Sequence, residues 1–218
     1  MSFGKYSPKE DPLNAPVLGD AIPRWGNGFF RWVARGVLRL WGWRFAGTVP
    51  NLPKMVLIGV PHTSNWDFVL AMAVLIAVQA RVYWLGKHTF VRGPLKPLLL
   101  KLGGVAVDRR AASGVVAQVT AQFQERDQFL LGLAPEGTRS LVSHWKMGFF
   151  HIARAAQVPI LPVALDYGRK TIAIGEPVWP EGGETAMLAQ LRSFYDGVQG
   201  KRPELFSLDS IQPSLRDR

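Results

Sequence analysis

A chain of 218 residues, 48% of them hydrophobic, is long enough for one domain with a full core and short appendages, and leaves little room for two independent domains. Its formal net charge of +10 points to anionic partners: phospholipid headgroups, phosphorylated small molecules or nucleic acid. The absence of cysteine excludes disulfides, thiolate metal sites and a cysteinyl acyl intermediate.

Residues 1–23 are polar and dotted with proline and lack the apolar stretch of a secretory signal, so they predict a poorly ordered arm on a protein that stays in the cytoplasm. The next segment, 24–50, is unusual. Between Arg24 and Phe45 it holds five arginines, no acid and many aromatic rings. On a helical wheel Arg31, Arg35 and Arg39 form one stripe, while Phe30, Val33, Val37, Leu40 and Trp41 form another face. This pattern predicts an amphipathic, membrane-associating segment, with rings at headgroup depth and guanidiniums on lipid phosphates, built as one helix or two short ones. No apolar run reaches the roughly 18 to 20 residues that span a bilayer; Phe68 to Val78 reads as a buried helix. The expected location is peripheral, on the cytoplasmic face of the membrane.

From residue 51 to about 200, short apolar strands alternate with helices, which predicts an α/β catalytic domain with a largely parallel central sheet flanked by helices. The expected strands are Met55 to Val60, Val82 to Gly86, Val105 to Asp108, Phe129 to Ala134, Ile160 to Asp166 and Thr171 to Ile174. Helices are expected at Asn65 to Gln79, Pro94 to Leu102, Ala112 to Arg126, Phe149 to Gln157 and Thr185 to Val198. Residues 201–218 read as a polar tail.

Reactive loops of open α/β sheets gather beyond the carboxyl ends of the strands. After the first strand comes Pro-His-Thr-Ser-Asn-Trp-Asp, residues 61–67. With Ser64 as N-cap, Asp67 sits at the third helical position, where it completes a capping box and can reach back to the imidazole of His62. A carboxylate there would fix the ring tautomer and raise its basicity, as a general base for a hydroxyl requires. After the fourth strand, Glu136, Gly137, Thr138 and Arg139 gather an acceptor, a flexible N–H, a hydroxyl and a planar cation, the groups that hold a phosphate and a polyol. Lys87, Arg92 and Arg109 follow other strands and would add positive charge around the same site. His88, His144 and His151 show no metal-ligand spacing, so neither a metal nor a cofactor is expected.

These residues resemble the lysophosphatidic acid and glycerolipid acyltransferases over roughly Lys54 to Gly175. Four ordered blocks carry the resemblance: His62-Thr-Ser-Asn-Trp-Asp67, like the family's His-X4-Asp box; Gly103-Gly-Val-Ala-Val-Asp-Arg109; Pro135-Glu-Gly-Thr-Arg-Ser140; and Val158-Pro-Ile-Leu-Pro-Val163. One departure is Ala134, where the family usually has a large aromatic. The resemblance implies His62 as base with Asp67 as its partner, Glu136, Gly137 and Arg139 in acceptor binding, and Arg109 on phosphate. The expected function is an acyltransferase of phospholipid biosynthesis, taking acyl-CoA or acyl carrier protein as donor and a lysophospholipid such as 1-acylglycerol-3-phosphate as acceptor. A serine intermediate through Ser64 or Ser140 stays open as a variant, although neither lies in a nucleophile elbow. An acyl-thioester hydrolase and a non-catalytic basic lipid-binding protein are the alternatives. No recognised nucleic-acid motif appears, so an anionic phospholipid membrane is the expected macromolecular partner; nothing in the sequence speaks to oligomeric state.

Overall fold

The computed structural model describes residues 13–87, 96–107 and 112–212. Helix α1 (Gly28–Leu40) is followed by β1 (Arg44–Ala46), β2 (Lys54–Val60), α2 (Asn65–Val78), β3 (Tyr83–Lys87), α3 (Lys96–Lys101), β4 (Gly104–Val107), α4 (Ala112–Glu125) and β5 (Phe129–Leu133). Then come α5 (Gly148–Ala156), β6 (Ile160–Asp166), β7 (Thr171–Ile174) and α6 (Gly183–Phe194). The strands form one sheet in the order β1-β7-β6-β2-β5-β3-β4. Every pairing is parallel except the β6–β7 hairpin. The expected α/β class with a largely parallel sheet is the observed one.

The central strand β2 shows why the sheet is covered on both faces. Val56, Ile58 and Val60 point into a core shared with Phe123 of α4, Phe149 of α5 and Leu191 of α6. Met55 points the other way, into a core shared with Leu38 of α1 and Leu70 of α2. Side chains alternate across a strand, so a run that is apolar at every position requires helices on each side.

One open choice is settled, and three expectations change. The basic, aromatic segment forms a single helix, α1, opened by Asn27, whose side chain accepts the Phe30 N–H at 3.0 Å. It stops at Gly42, whose φ of +76° suits glycine, and residues 44–46 then join the sheet edge beside β7. The arginine stripe is also partly used inside the protein: Arg35 Nε donates to the Ala77 carbonyl at 3.1 Å and Arg31 to Gln79 Oε1 at 3.2 Å. Two guanidiniums thus serve the carboxyl end of α2, where exposed carbonyls attract cations.

The arm expected to be poorly ordered is packed from residue 13 onward, because Leu13, Leu18 and Ile22 are buried in the α1–α2 core; residues 1–12 lie outside the described residues. The tail is likewise packed through residue 212. Its 3-10 turns Pro203–Leu205 and Leu208–Ser210 lead Ile211 into the opposite core, and Arg192 of α6 pairs with Asp209 at 2.6 Å. Isolated apolar residues without periodicity gave no sequence signal for this burial.

Candidate active site

The carboxyl ends of β2 and β5 lie side by side, since Ile58 pairs with Leu133. The loops that follow them therefore meet, bringing His62 and Glu136 together. Ser64 caps α2 and forms the expected capping box with Asp67. One oxygen of that carboxylate, Oδ2, accepts the N–H groups of Thr63 and Ser64, both at 2.7 Å. The same oxygen stands 3.5 Å from His62 Nδ1, an ion-pair distance at the long end for a hydrogen bond. With Nδ1 turned to Asp67, Nε2 is the nitrogen left for a substrate. His62 keeps 23% of its side-chain surface exposed against 1% for Asp67, so the ring is reachable and its partner is not.

Burial works to raise the pKa of Asp67, but the contacts with His62, with the Tyr167 hydroxyl and with the N–H groups of Ser64 and Thr63 outweigh it and hold the carboxyl below its ordinary value. Asp67 therefore stays ionised beside the imidazole. Glu136 behaves in the opposite way. Burial pushes it up to about 8, helped by the negative charge of Asp67 and opposed by the N–H of His62.

The structure brings some expected site residues together and sets others apart. His62, Asp67 and Gly137 line the mouth of one cavity. Glu136, expected among acceptor-binding groups, is 3% exposed and accepts the His62 backbone N–H on Oε2 at 2.8 Å. It acts behind the His62 loop. Thr138 and Arg139 are exposed in the same turn, where Thr138 Oγ1 accepts the Ser140 N–H at 3.4 Å. Lys87 ends β3 at the same sheet edge, paired with Val107. Arg109, Arg92 and His88 lie outside the described residues. Ser64 is occupied as the α2 cap, and Ser140 is exposed.

Two features go beyond the expected site residues. Gly137 has φ +65°, and a Cβ there would stand 2.9 Å from Lys146 Nζ; the lysine ammonium therefore lies over the loop backbone at the cavity mouth. Tyr167 reaches Asp67 from the β6–β7 turn, a contact across a hundred residues that no local pattern signals. Among the described residues no group of three or more His, Cys, Asp or Glu side chains is arranged to hold a metal ion.

Behind His62 the cavity extends between α2 and the sheet. Its volume is about 390 Å³, and Phe68, Met72, Leu75, Trp84 and Leu85 make its walls apolar. Glycines at 59 and 132, one on each of two adjacent strands, contribute no side chain to its floor. Ala134, the departure from the family's usual aromatic, also lines it. A small polar, ionisable mouth on an apolar pocket of this size suits a ligand with a reactive head and a hydrocarbon tail.

Comparison with known proteins agrees with this geometry. Over 111 residues the chain is 35% identical to the 1-acyl-sn-glycerol-3-phosphate acyltransferase of Escherichia coli (strain K12), covering 48% of this chain and 44% of that protein. Over 163 residues it is 28% identical to the 1-acyl-sn-glycerol-3-phosphate acyltransferase of Haemophilus influenzae, covering 70% of this chain and 65% of that protein. The chain thus matches between about half and two thirds of the length of these curated relatives. The crystal structure of the 1-acyl-sn-glycerophosphate (LPA) acyltransferase PlsC from Thermotoga maritima shares the fold, with a TM-score of 0.52 at 18% identity over 79% of this chain and 80% of that one. The acyltransferase family model matches residues 45–166, a stretch that holds the His62–Asp67 pair, the Glu136–Arg139 turn and the cavity between them, and the chain belongs to that family.

Proposed function

We propose that this protein is an O-acyltransferase that moves a fatty acyl group from an acyl thioester to a hydroxyl of a lysophospholipid. The favoured acceptor is 1-acylglycerol-3-phosphate, the substrate in the names of its relatives, and the donor is acyl-CoA or acyl carrier protein. The observation that carries this reading is the His62–Asp67 pair at the mouth of an apolar cavity.

The acyl chain of the donor lies in the cavity, with its thioester carbonyl at the mouth. His62 Nε2 removes the acceptor hydroxyl proton as that oxygen attacks the carbonyl carbon, Asp67 stabilises the imidazolium that forms, and the proton then passes to the departing thiolate. One ester bond forms and one thioester bond breaks. Lys146, over Gly137 at the mouth, and Arg139, two residues on in the same exposed turn, offer cations to the acceptor phosphate, Arg139 through a planar fork suited to bidentate contact. Arg109, by the family resemblance, and Lys87 are proposed as further cations for that phosphate.

The enzyme works from the membrane surface. Phe29, Phe30, Trp32 and Leu40 are exposed on α1, and Trp41 meets Trp66 of α2 edge to face at a centroid distance of 6.5 Å. Trp66 adjoins Asp67 in sequence, so this aromatic surface runs from α1 to the catalytic loop. Rings and apolar side chains beside basic residues favour the lipid interface. No helix among the described residues is long and apolar enough to cross a membrane. The proposal is therefore peripheral attachment, on the cytoplasmic face.

The test is incubation of the purified protein with an acyl thioester and lysophosphatidic acid in anionic vesicles, with free thiol and diacyl product both measured. Equal amounts of thiol and phosphatidic acid are expected. Thiol release with free fatty acid and no new ester would instead assign a hydrolase.

A further inference from the structure

The two oxygens of Asp67 have different surroundings. Oδ2 is engaged by two backbone N–H groups and faces His62. Oδ1 is buried with no partner at full hydrogen-bonding geometry, and so is the Tyr167 hydroxyl. Each of these groups acts on the other electrostatically: the Tyr167 hydroxyl lowers the pKa of Asp67, while burial and then the Asp67 carboxylate raise that of Tyr167. An unpartnered donor and an unpartnered anionic acceptor, shielded from water and adjacent, are strongly driven to bond.

We propose that Tyr167 is a positioning residue for catalysis, donating its hydroxyl to Asp67 Oδ1 and thereby holding the carboxylate with Oδ2 toward His62. The inference rests on the reading of His62 as general base. It assigns a role to a side chain just beyond the stretch matched by the family model.

The fold supplies the rigidity such a role needs. Asp166 anchors the β6–β7 turn by accepting the N–H groups of Gly168 and Arg169 on Oδ1, at 3.0 and 3.2 Å. The Tyr167 N–H donates to the Gln199 carbonyl at 2.9 Å. The phenol ring meets Trp43 edge to face, with centroids 5.0 Å apart and planes at 88°. Trp43 is itself tied to the end of α1, where its N–H donates to the Leu38 carbonyl at 2.9 Å. Tyr167 is thus clamped from the turn, from the carboxyl-terminal segment and from α1.

Other ionisable groups around this pair are accounted for. Asp166 is engaged with the Arg169 guanidinium at 3.3 Å. Lys170 donates to the Trp41 carbonyl at 2.9 Å. The Glu136 carboxyl accepts the His62 N–H on Oε2 and is itself held protonated by burial and by the charge of Asp67. The Tyr167 hydroxyl is the side-chain donor available to Oδ1 among these groups.

Removing that hydroxyl leaves Asp67 a less satisfied and more basic carboxylate, which pulls harder on the His62 proton and favours the imidazolium. The test is Tyr167→Phe, which deletes one oxygen and keeps the ring against Trp43. His62 is titrated by NMR in wild type and variant, its signal assigned with His62→Gln. The expected result is an upward shift of the His62 midpoint, together with a kcat lower by roughly tenfold and unchanged KM for donor and acceptor. In an Asp67→Asn background Tyr167→Phe should add no further loss, because the two residues act as one unit. An unchanged His62 midpoint in a folded Tyr167→Phe protein overturns the proposal, as does an additive loss in the double variant. The NMR readout needs no turnover, so failure here is distinct from failure of the acyltransferase reading, which the product assay measures.

Discussion

The backbone N–H of His62 donates to Glu136 Oε2 at 2.8 Å across 74 residues of chain, so the two loops are joined by a bond between the peptide that carries the base and a buried carboxyl. Glu136 holds the loop from behind, and Asp67 holds the ring from the side. Loss of either support should misplace the same imidazole.

Glu136→Gln retains an oxygen that can accept the His62 N–H, whereas Glu136→Ala leaves that N–H unpaired, at a cost of about 1 to 3 kcal/mol where the donor is buried. The alanine variant should be clearly less stable and less active than the glutamine one. A further contrast comes from pH. The Glu136 carboxyl is raised from 4.5 to about 8, so the folded state holds its proton more tightly than the unfolded one. The stability linked to this group is full below about pH 4.5 and is lost as pH rises through about 8. Melting temperatures of wild type should fall more than those of Glu136→Gln between pH 5 and 9; parallel curves would contradict the buried, proton-holding Glu136.

Gly59 controls the room available to an acyl chain. A Cβ at this position meets nothing within 4 Å, and the residue lines the cavity, so a side chain begun here would take up cavity space. Gly59→Val should spare octanoyl thioesters and slow palmitoyl ones. Excluding two methylenes forfeits about 0.8 kcal/mol each, or roughly tenfold in kcat/KM. An unchanged chain-length profile would mean that the acyl group lies elsewhere.

Arg139→Lys keeps the charge at the exposed turn and removes the planar fork. With lysophosphatidic acid as acceptor the apparent KM should rise several-fold, while the KM for the thioester stays constant. Monoacylglycerol, which lacks the phosphate, should be indifferent to the change. Equal effects on both acceptors would count against phosphate recognition by Arg139.

Membrane binding must be tested by point substitution. Ala34 and Leu38 of α1 are buried, and β1 is part of the sheet, so removing residues 1–45 would tear the core. Trp32 and Leu40, at 74% and 88% exposed, can be replaced with little structural cost. Trp32→Ser with Leu40→Ser should reduce flotation with anionic vesicles at high salt, where the hydrophobic contribution remains after charges are screened. The melting temperature should hold within a few degrees. Undiminished flotation would locate the contact on another surface.

The sheet, its flanking helices and the His62–Asp67 pair were legible because each rests on a local pattern: apolar strands, helical periodicity and a capping box. The strand at residues 44–46 was not, since a three-residue edge strand directly after an aromatic helix has no periodicity of its own. The packed arm and tail were missed for a related reason: Leu13, Ile22 and Ile211 are buried singly by distant partners. The Glu136 side chain was recognised, but its direction was not. Whether a carboxyl faces a substrate or a neighbouring peptide depends on how two loops approach, and that is a property of the sheet order. Tyr167 illustrates the same limit from the other edge of the site.

The most direct measurement is the turnover of His62→Ala beside wild type in the coupled assay of thiol and diacyl product, with folding checked by circular dichroism. Asp67→Asn serves as the companion variant. Loss of a positioned general base typically costs about 10²- to 10⁴-fold, so the account predicts a folded protein that still floats with vesicles and has lost at least a hundredfold in product formation. A folded His62→Ala protein that forms phosphatidic acid at most of the wild-type rate would contradict it.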